Sequence, residues 1–398
     1  MSLSELAATA RASATMALNA RAKALVAEGV DVVNFTIGEP DFDTPDNIKQ
    51  AAHLAIQSGF TKYQPAAGLP ELRRAVARKL AADNGLDYSP DEVLISNGAK
   101  QALYMTMLVL LQQGDEVVVP APYWVSYIHQ ARFCGARVAL VDATGTLDLK
   151  PTPELLKAAI TERSRALVLN SPCNPTGVVL SRDELRALLE AALEKDLWII
   201  SDEIYEKLVY DEAEHVSSAS LGPQVRERVV TINGLSKTYA MTGWRIGYAA
   251  GPPEVIQAAG RLQSHMTSGA DSIAQRAAVE ALEGPQESVE EMREAFDERR
   301  HLLVEGLNEL PGVSCLMPRG AFYAFPDCRG LLGRSYGSRR VENSLELCEA
   351  LLDQAQVAAV PGSAFGAEGF VRFHYAKSDA DIKKALERLG NFAAAGQD

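Results

Sequence analysis

The sequence predicts an α/β protein with two domains: a large domain with a mostly parallel central sheet, and a small α+β domain. In the middle of the chain, short apolar segments alternate with helical ones, which is typical of strands covered by helices on both faces. Near Pro285 this alternation gives way to a long charged helix and a few short strands. In addition, 398 residues are too many for one ordinary core.

In the large domain, apolar runs predict the strands, and the residues beside them predict where strands end and helices begin. Pro120 stops one strand, Gly98 opens a helix and Ser181 caps another. The strand–helix–strand order implies mostly parallel pairing. The predicted strands cover 92–96, 115–119, 137–141, 165–170 and 197–201, with further apolar runs at 229–232 and 246–250. The predicted helices cover 99–111, a stretch from 124, 153–161 and 181–195.

The small domain is predicted from the pattern after Pro285. A long charged helix covers 287–310, and the predicted strands 321–325, 357–360 and 370–375 alternate with helices at 342–354 and 379–393. The segment from Arg329 to Arg340 is rich in Gly, Ser and Arg and matches no motif, so it is interpreted as a surface loop.

Composition excludes several classes of function. The net charge of −13 disfavours binding to nucleic acid or to an anionic membrane. The sequence contains no signal peptide and no apolar run long enough to span a bilayer. Six histidines show no metal-binding spacing, and five cysteines lack CxxC pairs, which predicts reduced thiols in a cytoplasmic protein without a metal. The cysteines are Cys134, Cys173, Cys315, Cys328 and Cys348.

Lys237 is the most informative residue. It lies in a Gly/Ser-rich turn after the apolar run 229–232, and Arg245 follows eight positions later. A nearby positive charge and desolvation lower the pKa of a lysine and free its amine as a nucleophile. An arginine can hold a phosphate through paired donors. The pair indicates a lysine that binds a phosphorylated aldehyde cofactor, pyridoxal phosphate (PLP), although a solvated lysine is the alternative for so short a motif.

Other candidate residues follow the ends of predicted strands, where ligands bind in parallel sheets. Asn174 lies in an Asn-Pro-Thr-Gly sequence, which also suits an ordinary turn. Asp202 could keep a pyridine nitrogen protonated, or simply stabilise a helix start. The turn from Gly98 to Lys100 offers free N–H groups to a phosphate.

Two further residues have a structural alternative. Trp124 follows a proline turn, and such a tryptophan is more often part of the core than a cofactor contact. Arg372 interrupts an apolar strand, and a buried arginine needs an anion, which is either a ligand or an internal carboxylate.

Residues 233–247, the turn 170–177 and the sequence 201–205 resemble motifs of the class I aminotransferases, in the fold type I superfamily of PLP-dependent transferases. The resemblance covers about residues 10 to 393 and is greatest to the bacterial aspartate aminotransferase subgroup. It implies a large PLP-binding domain, 46–285, and a small domain formed by 1–45 and 286–398. Gly234 departs from the pattern, because many relatives have a phosphate-binding serine there.

The resemblance also implies the role of each site residue. Lys237 would be catalytic, holding PLP as an internal aldimine, and Tyr63 would reach the cofactor of a neighbouring subunit, which requires a homodimer with shared active sites. The cofactor-binding residues implied are Tyr63, Gly98, Ala99, Lys100, Trp124, Asn174, Asp202, Tyr205, Ser236, Lys237 and Arg245. The substrate-binding residues implied are Gly38, Lys100, Trp124, Asn174 and Arg372.

The activity implied is a ping-pong transfer of the amino group of aspartate to 2-oxoglutarate, which yields oxaloacetate and glutamate. Lys100 would bind the side-chain carboxylate of the substrate, and Arg11 is a second candidate cation. Three alternatives remain open: a prephenate or aromatic aminotransferase, a PLP lyase on the same fold, and a PLP-sensing regulator. The regulator would need a DNA-binding module, for which the chain has neither the extra length nor a basic face.

Overall fold

The structure is a computed structural model that describes residue 7 and residues 14–397. Its largest feature is a seven-stranded sheet. Over the described residues the strands are β1 (Val33–Asn34), β2 (Val93–Asn97), β3 (Glu116–Ala121), β4 (Arg137–Asp142), β5 (Ser164–Asn170), β6 (Trp198–Asp202), β7 (Val229–Gly234), β8 (Ile246–Ala250), β9 (Tyr323–Ala324), β10 (Arg334–Tyr336), β11 (Arg339–Val341), β12 (Val357–Ala358), β13 (Val360–Pro361) and β14 (Val371–His374). In the large sheet, the predicted runs begin and end within two residues of these bounds.

The helices cover both faces of this sheet and fill the C-terminal part of the chain. Over the same described residues they are α1 (Ala14–Ala27), α2 (Asp46–Gln57), α3 (Pro70–Asn84), α4 (Ala99–Leu110), α5 (Ser126–Phe133), α6 (Pro153–Ala159), α7 (Arg182–Leu193), α8 (Pro223–Arg226), α9 (Pro253–Met266), α10 (Ser272–Glu283), α11 (Glu287–Asn308), α12 (Ser344–Ala355) and α13 (Asp379–Ala395). Ser181 caps α7 as predicted, because its hydroxyl accepts the Glu184 N–H and the Glu184 carboxylate accepts the Ser181 N–H. None of these helices is both long and apolar enough to cross a bilayer.

The strand order in the large sheet is β2-β8-β7-β6-β5-β3-β4. Neighbours pair in parallel except β8, which is antiparallel to β2 and β7. Along β5, Leu167 and Leu169 pack with α2, α3, α7 and α10, whereas Ala166 and Val168 pack on the other face with α4, α5 and α9. Both faces are therefore buried, which explains the continuous apolar runs. The carboxyl ends of the parallel strands meet the start of β8 at one edge.

The C-terminal part of the chain forms a second core. The three-stranded antiparallel sheet β13-β14-β9 packs with α11, α12 and α13. The N-terminal segment joins this core through Leu18 and Phe35, and β1 pairs in parallel with β12. These contacts support the division into 46–285 and 1–45 with 286–398, which we retain as a proposal.

The segment from Arg329 to Arg340 lies mostly at the surface as predicted, but the prediction of a loop is wrong. Strands β10 and β11 form a hairpin here, in which Tyr336 pairs with Arg339. Gly337 adopts a φ of 60°, which suits the first position of a two-residue hairpin turn. Leu331 and Tyr336 are buried in the small-domain core, so apolar side chains of the segment hold it against the domain.

Candidate active site

A cleft of about 510 Å³ opens at the edge of the large sheet where the parallel strands end. The sequence-predicted residues that line it are Gly38, Ala99, Lys100, Trp124, Asn174, Asp202, Tyr205, Ser236, Lys237, Arg245 and Arg372. Most of them directly follow β2, β3, β5, β6 or β7, and Arg245 directly precedes β8. The sheet therefore brings together residues that are far apart in the sequence, as ligand binding in this fold class requires.

Lys237 occupies a desolvated position in the cleft. Its Nζ donates a hydrogen bond to the Gly38 carbonyl oxygen at 2.8 Å, and within the described residues it forms no salt bridge. Burial is the main cause that lowers its pKa to about 8, and the charges of Arg372 and Arg245 act in the same direction. A minor fraction of this amine, far larger than for an ordinary lysine, is therefore neutral near physiological pH, the form in which an amine attacks an aldehyde or accepts a proton.

Asp202 is held by two donors at the end of β6. Its Oδ2 accepts a hydrogen bond from the Tyr127 hydroxyl at 2.7 Å, and its Oδ1 accepts one from the Ile204 N–H at 3.3 Å. Burial raises the pKa of the carboxyl to about 6. A cationic group bound beside it would favour the ionised form, so the site suits a protonated ring nitrogen.

Arg372 is 4% exposed yet has no carboxylate partner among the described residues. Its Nη1 donates to Asn174 Oδ1 at 3.0 Å and its Nη2 to the Thr36 carbonyl oxygen at 2.9 Å. Its Nε has no hydrogen-bond partner, and burial lowers its pKa. The alternative of an internal salt bridge therefore does not hold for the residues described. A buried guanidinium without a counter-charge is costly and indicates a site for a bound anion.

The start of α4 forms a second anion-binding position. The N–H groups of Ala99 and Lys100 lie in the first turn of this helix, where they lack intrahelical acceptors. A Cβ on Gly98 would lie 2.4 Å from Arg245 Nη2, and a Cβ on Gly247 would lie 2.1 Å from the Ala99 nitrogen. Glycine at both positions therefore lets the helix start and Arg245 converge. Close approach also explains Gly234, whose Cβ would meet the Gly247 Cα at 2.9 Å.

Lys100 and Trp124 form one wall of the cleft. Lys100 Nζ lies 4.9 Å from the centroid of the Trp124 ring, a cation–π arrangement. Burial and the charge of Arg245 lower the pKa of Lys100, although much of its side chain is still exposed. The Trp124 ring packs edge-on against Tyr127, with centroids 5.4 Å apart, which fixes the orientation of its indole.

One predicted residue lies elsewhere, and another is not described. Tyr63 is 94% exposed and does not line the cleft, so the alternative that it packs locally does not hold. Its role at a neighbouring subunit stays a prediction. Arg11 lies outside the described residues.

Sequence reasoning missed Tyr323 and Tyr127. The Tyr323 hydroxyl lies 2.8 Å from the Tyr205 hydroxyl and accepts a hydrogen bond from Asn174 Nδ2 at 3.4 Å. A Cβ on Gly38 would lie 2.2 Å from the same hydroxyl, so this glycine makes room for Tyr323. A tyrosine in a short apolar strand, or in the first turn of a helix, gives no signal that separates a site residue from a core residue.

The arrangement of these groups defines a class of site. It offers an amine of lowered pKa, a carboxylate for a ring cation, two anion-binding positions and an aromatic wall. These groups fit a phosphorylated pyridine aldehyde and a substrate with a carboxylate. Residues 30–389 match the family model "Aminotransferase class I and II", and the chain belongs to this family.

Individual relatives agree with the family assignment. The chain is 48% identical to the aspartate aminotransferase of Geobacillus stearothermophilus, over 99% of this chain and 100% of the relative. It is 46% identical to the aspartate/prephenate aminotransferase of Cereibacter sphaeroides, over 98% of each. The crystal structure of the Rhizobium meliloti aspartate aminotransferase has a TM-score of 0.95 and 44% identity, with full coverage of both chains. The Thermus thermophilus enzyme with maleate has a TM-score of 0.92 and 45% identity, over 98% of this chain and 100% of that one. These matches confirm the predicted family and fold class.

Proposed function

We propose that this chain is an aspartate aminotransferase (EC 2.6.1.1), which transfers the amino group of aspartate to 2-oxoglutarate. The observation that supports this most directly is the presence of two cations in one cleft, the partly buried Lys237 and the buried Arg372, with no salt bridge to either among the described residues. One is a nucleophile of lowered pKa and the other is suited to a carboxylate. The names of the relatives cited above point to the same reaction.

Pyridoxal phosphate is the cofactor that this donor set fits. Asp202 would bind the pyridine nitrogen, Asn174 and Tyr205 the phenolic oxygen, and Trp124 the ring face. The phosphate-binding groups would be the backbone from Gly98 to Lys100 and the side chains of Ser236 and Arg245. When bound, the cofactor supplies an acceptor for the electrons of the substrate Cα–H bond.

The chain's own residues would then bind the substrate and move one proton. Arg372 binds the α-carboxylate through paired donors, which orients the Cα–H bond towards Lys237. The Lys237 amine, with a pKa of about 8, takes the Cα proton as a general base and returns it as a general acid. Because the side chain is desolvated and held by the Gly38 carbonyl oxygen, the amine stays within reach of the bound substrate.

Lys100 is the candidate for the side-chain carboxylate of aspartate and 2-oxoglutarate. Its Nζ lies over the Trp124 ring, in the wall that also includes Ser126 and His129. Prephenate is a second candidate substrate, because one relative of 46% identity is named for both activities. A lyase would release product without a 2-oxo acid acceptor, which the experiment below distinguishes.

We also propose a cytoplasmic homodimer with shared active sites. The exposure of Tyr63 supports the dimer, because an aromatic side chain that is 94% exposed has little to pack against in its own chain. The five free cysteines support a reducing compartment.

The test is a half-reaction assay on the purified protein loaded with PLP. Aspartate should abolish the near-visible absorbance of the lysine-bound cofactor, and 2-oxoglutarate should restore it. A Lys237→Ala variant should fold, as judged by circular dichroism, but show no turnover. Lys157→Ala, on the surface helix α6, is the matched control and should keep full activity. Persistent turnover in Lys237→Ala would refute the assignment.

A further inference from the structure

The small-domain strand β9 contributes a hydroxyl to the cleft that no step above uses. Tyr323 is fully buried, and its hydroxyl lies between the Asn174 amide and the Tyr205 hydroxyl. Arg372 in turn donates to Asn174 Oδ1 at 3.0 Å. The four side chains therefore form one continuous buried chain of hydrogen bonds, from the guanidinium that faces the substrate carboxylate to Tyr205.

The chemistry of the groups fixes the direction of this chain. Asn174 accepts from Arg372 through Oδ1, so its Nδ2 can only donate, and the Tyr323 oxygen is the acceptor. The one proton of Tyr323 then has a single acceptor within the described part of the chain, the Tyr205 oxygen at 2.8 Å. In that orientation the Tyr205 proton points away from Tyr323 and is available to a group bound in the cleft.

The opposite orientation leaves a buried donor unsatisfied. If Tyr205 donated to Tyr323, the Tyr323 proton would lack an acceptor among the described residues, and an unsatisfied buried donor is unfavourable. Hydrogen bonds in such a chain also strengthen one another in a low-dielectric interior. A Tyr205 oxygen that accepts from Tyr323 is thus a better donor on its other side.

We propose that Tyr323 is a positioning residue that orients the Tyr205 hydroxyl as a donor into the cleft and connects it to the carboxylate-binding pair Asn174 and Arg372. The inference rests on the proposed function, in which Tyr205 donates to the phenolic oxygen of the bound cofactor. The ring of Tyr323 has a separate packing role, because the Arg372 guanidinium lies 4.7 Å from its centroid. Only the hydroxyl is assigned the positioning role.

The test is the pH titration of the near-visible absorbance of the PLP-loaded protein, without substrate. A donor to the phenolic oxygen stabilises its negative charge, which favours the deprotonated form of the bound cofactor. It therefore lowers the midpoint of the titration. Tyr323→Phe keeps the ring but removes the hydroxyl, so the midpoint should rise by about half a unit to one unit. Tyr205→Phe should raise it further. Tyr336→Phe, a buried tyrosine whose hydroxyl donates to the Leu331 carbonyl oxygen, is the matched control and should leave it unchanged.

The double variant decides whether Tyr323 acts through Tyr205. If it does, adding Tyr323→Phe to Tyr205→Phe should shift the midpoint no further, whereas independent effects would add. An unchanged midpoint in Tyr323→Phe, or full additivity, would overturn the inference while the wild type still transaminates. Failure of the wild type to bind PLP at all would overturn the proposed function, and this inference with it. If Tyr323→Phe does not fold, Tyr323→His, which keeps a donor, is compared with Tyr323→Leu, which has none. The midpoint of the His variant should lie closer to that of the wild type.

Discussion

Two buried arginines show how the cleft differs from the small-domain core. Arg300, on α11, is 0% exposed and pairs with Asp211 at 2.8 Å and with Asp297 at 2.5 Å. These carboxylates raise its pKa. Arg372 is 4% exposed and has only neutral partners among the described residues, and burial lowers its pKa. The guanidinium of Arg300 thus has its counter-charges within the small-domain core. That of Arg372 has none among the described residues and can bind an anion in the cleft.

Two lysines repeat the contrast. Lys79, on α3, is nearly buried and pairs with the carboxylate of Glu206, and it also donates to Asn84 Oδ1 at 2.7 Å. Lys237 has only a carbonyl oxygen as its acceptor. A cation with an internal carboxylate has its counter-charge within the fold, whereas one without such a partner can take its counter-charge from a ligand.

The largest effect is expected from replacing each arginine with methionine. Arg372→Met should lower kcat/KM for aspartate by about 1,000-fold, roughly 4 kcal/mol, because a bidentate charged contact is lost. Its free energy of unfolding should stay equal or rise, since an uncompensated buried charge is removed. Arg300→Met should lower the free energy of unfolding by about 1–3 kcal/mol, because two partly exposed carboxylates lose their charged hydrogen-bond donor. Steady-state kinetics and urea unfolding measure both quantities.

Each arginine variant is the control for the other. Arg300→Met should retain near-wild-type kcat/KM per folded molecule, and Arg372→Met should retain its urea midpoint. A severe loss of stability in Arg372→Met would mean that the guanidinium has a structural role, and the comparison would fail.

The lysines should differ in how stability depends on pH in cofactor-free protein. Burial lowers the pKa of Lys237 to about 8 in the folded state, from an ordinary value of 10.5. Below pH 8 the folded protein therefore carries the charged amine at a cost in stability. This cost, up to about 3 kcal/mol, disappears as the pH rises from 8 to 10.5. Lys237→Met should therefore be more stable than wild type at pH 7, and the gain should vanish above pH 10.5.

Lys79→Met should behave in the opposite way at neutral pH. The pKa of Glu206 is lowered to about 2, with Lys79 as its main favourable charge, so removal of Lys79 leaves a buried carboxylate without its partner and lowers stability. Chemical denaturation at pH 7 and pH 11 measures both variants. Equal losses for the two lysines at pH 7 would contradict the distinction.

Site residues could be predicted from the sequence where they lie beside a strand that the sequence also predicts. Lys237 and Asp202 could be predicted because each lies at or just after the end of a strand that its own apolar residues define. The hairpin of β10 and β11 was missed, although the pair Gly337-Ser338 is a recognisable turn, because its arginines suggested an exposed loop. The contacts of Arg372, which include no carboxylate among the described residues, and those of Tyr323 depend on residues up to 336 positions away in the sequence. No local pattern contains that information.

Lys100 differs from both Lys79 and Lys237, and its replacement should give the smallest effect on activity. Its partner is a ring face, not a carboxylate, and its exposure means that water screens its charge. Lys100→Ser should therefore raise the KM for aspartate about 10- to 30-fold, roughly 1.5–2 kcal/mol for one charged contact. The KM for phenylalanine, which has no side-chain carboxylate, should change less than 3-fold, a small uncompensated packing effect. Lys100→Arg keeps the charge and should restore most of the aspartate preference. Equal changes for both substrates would remove Lys100 from substrate recognition and leave its cation–π contact with Trp124 as a structural feature of the cleft wall.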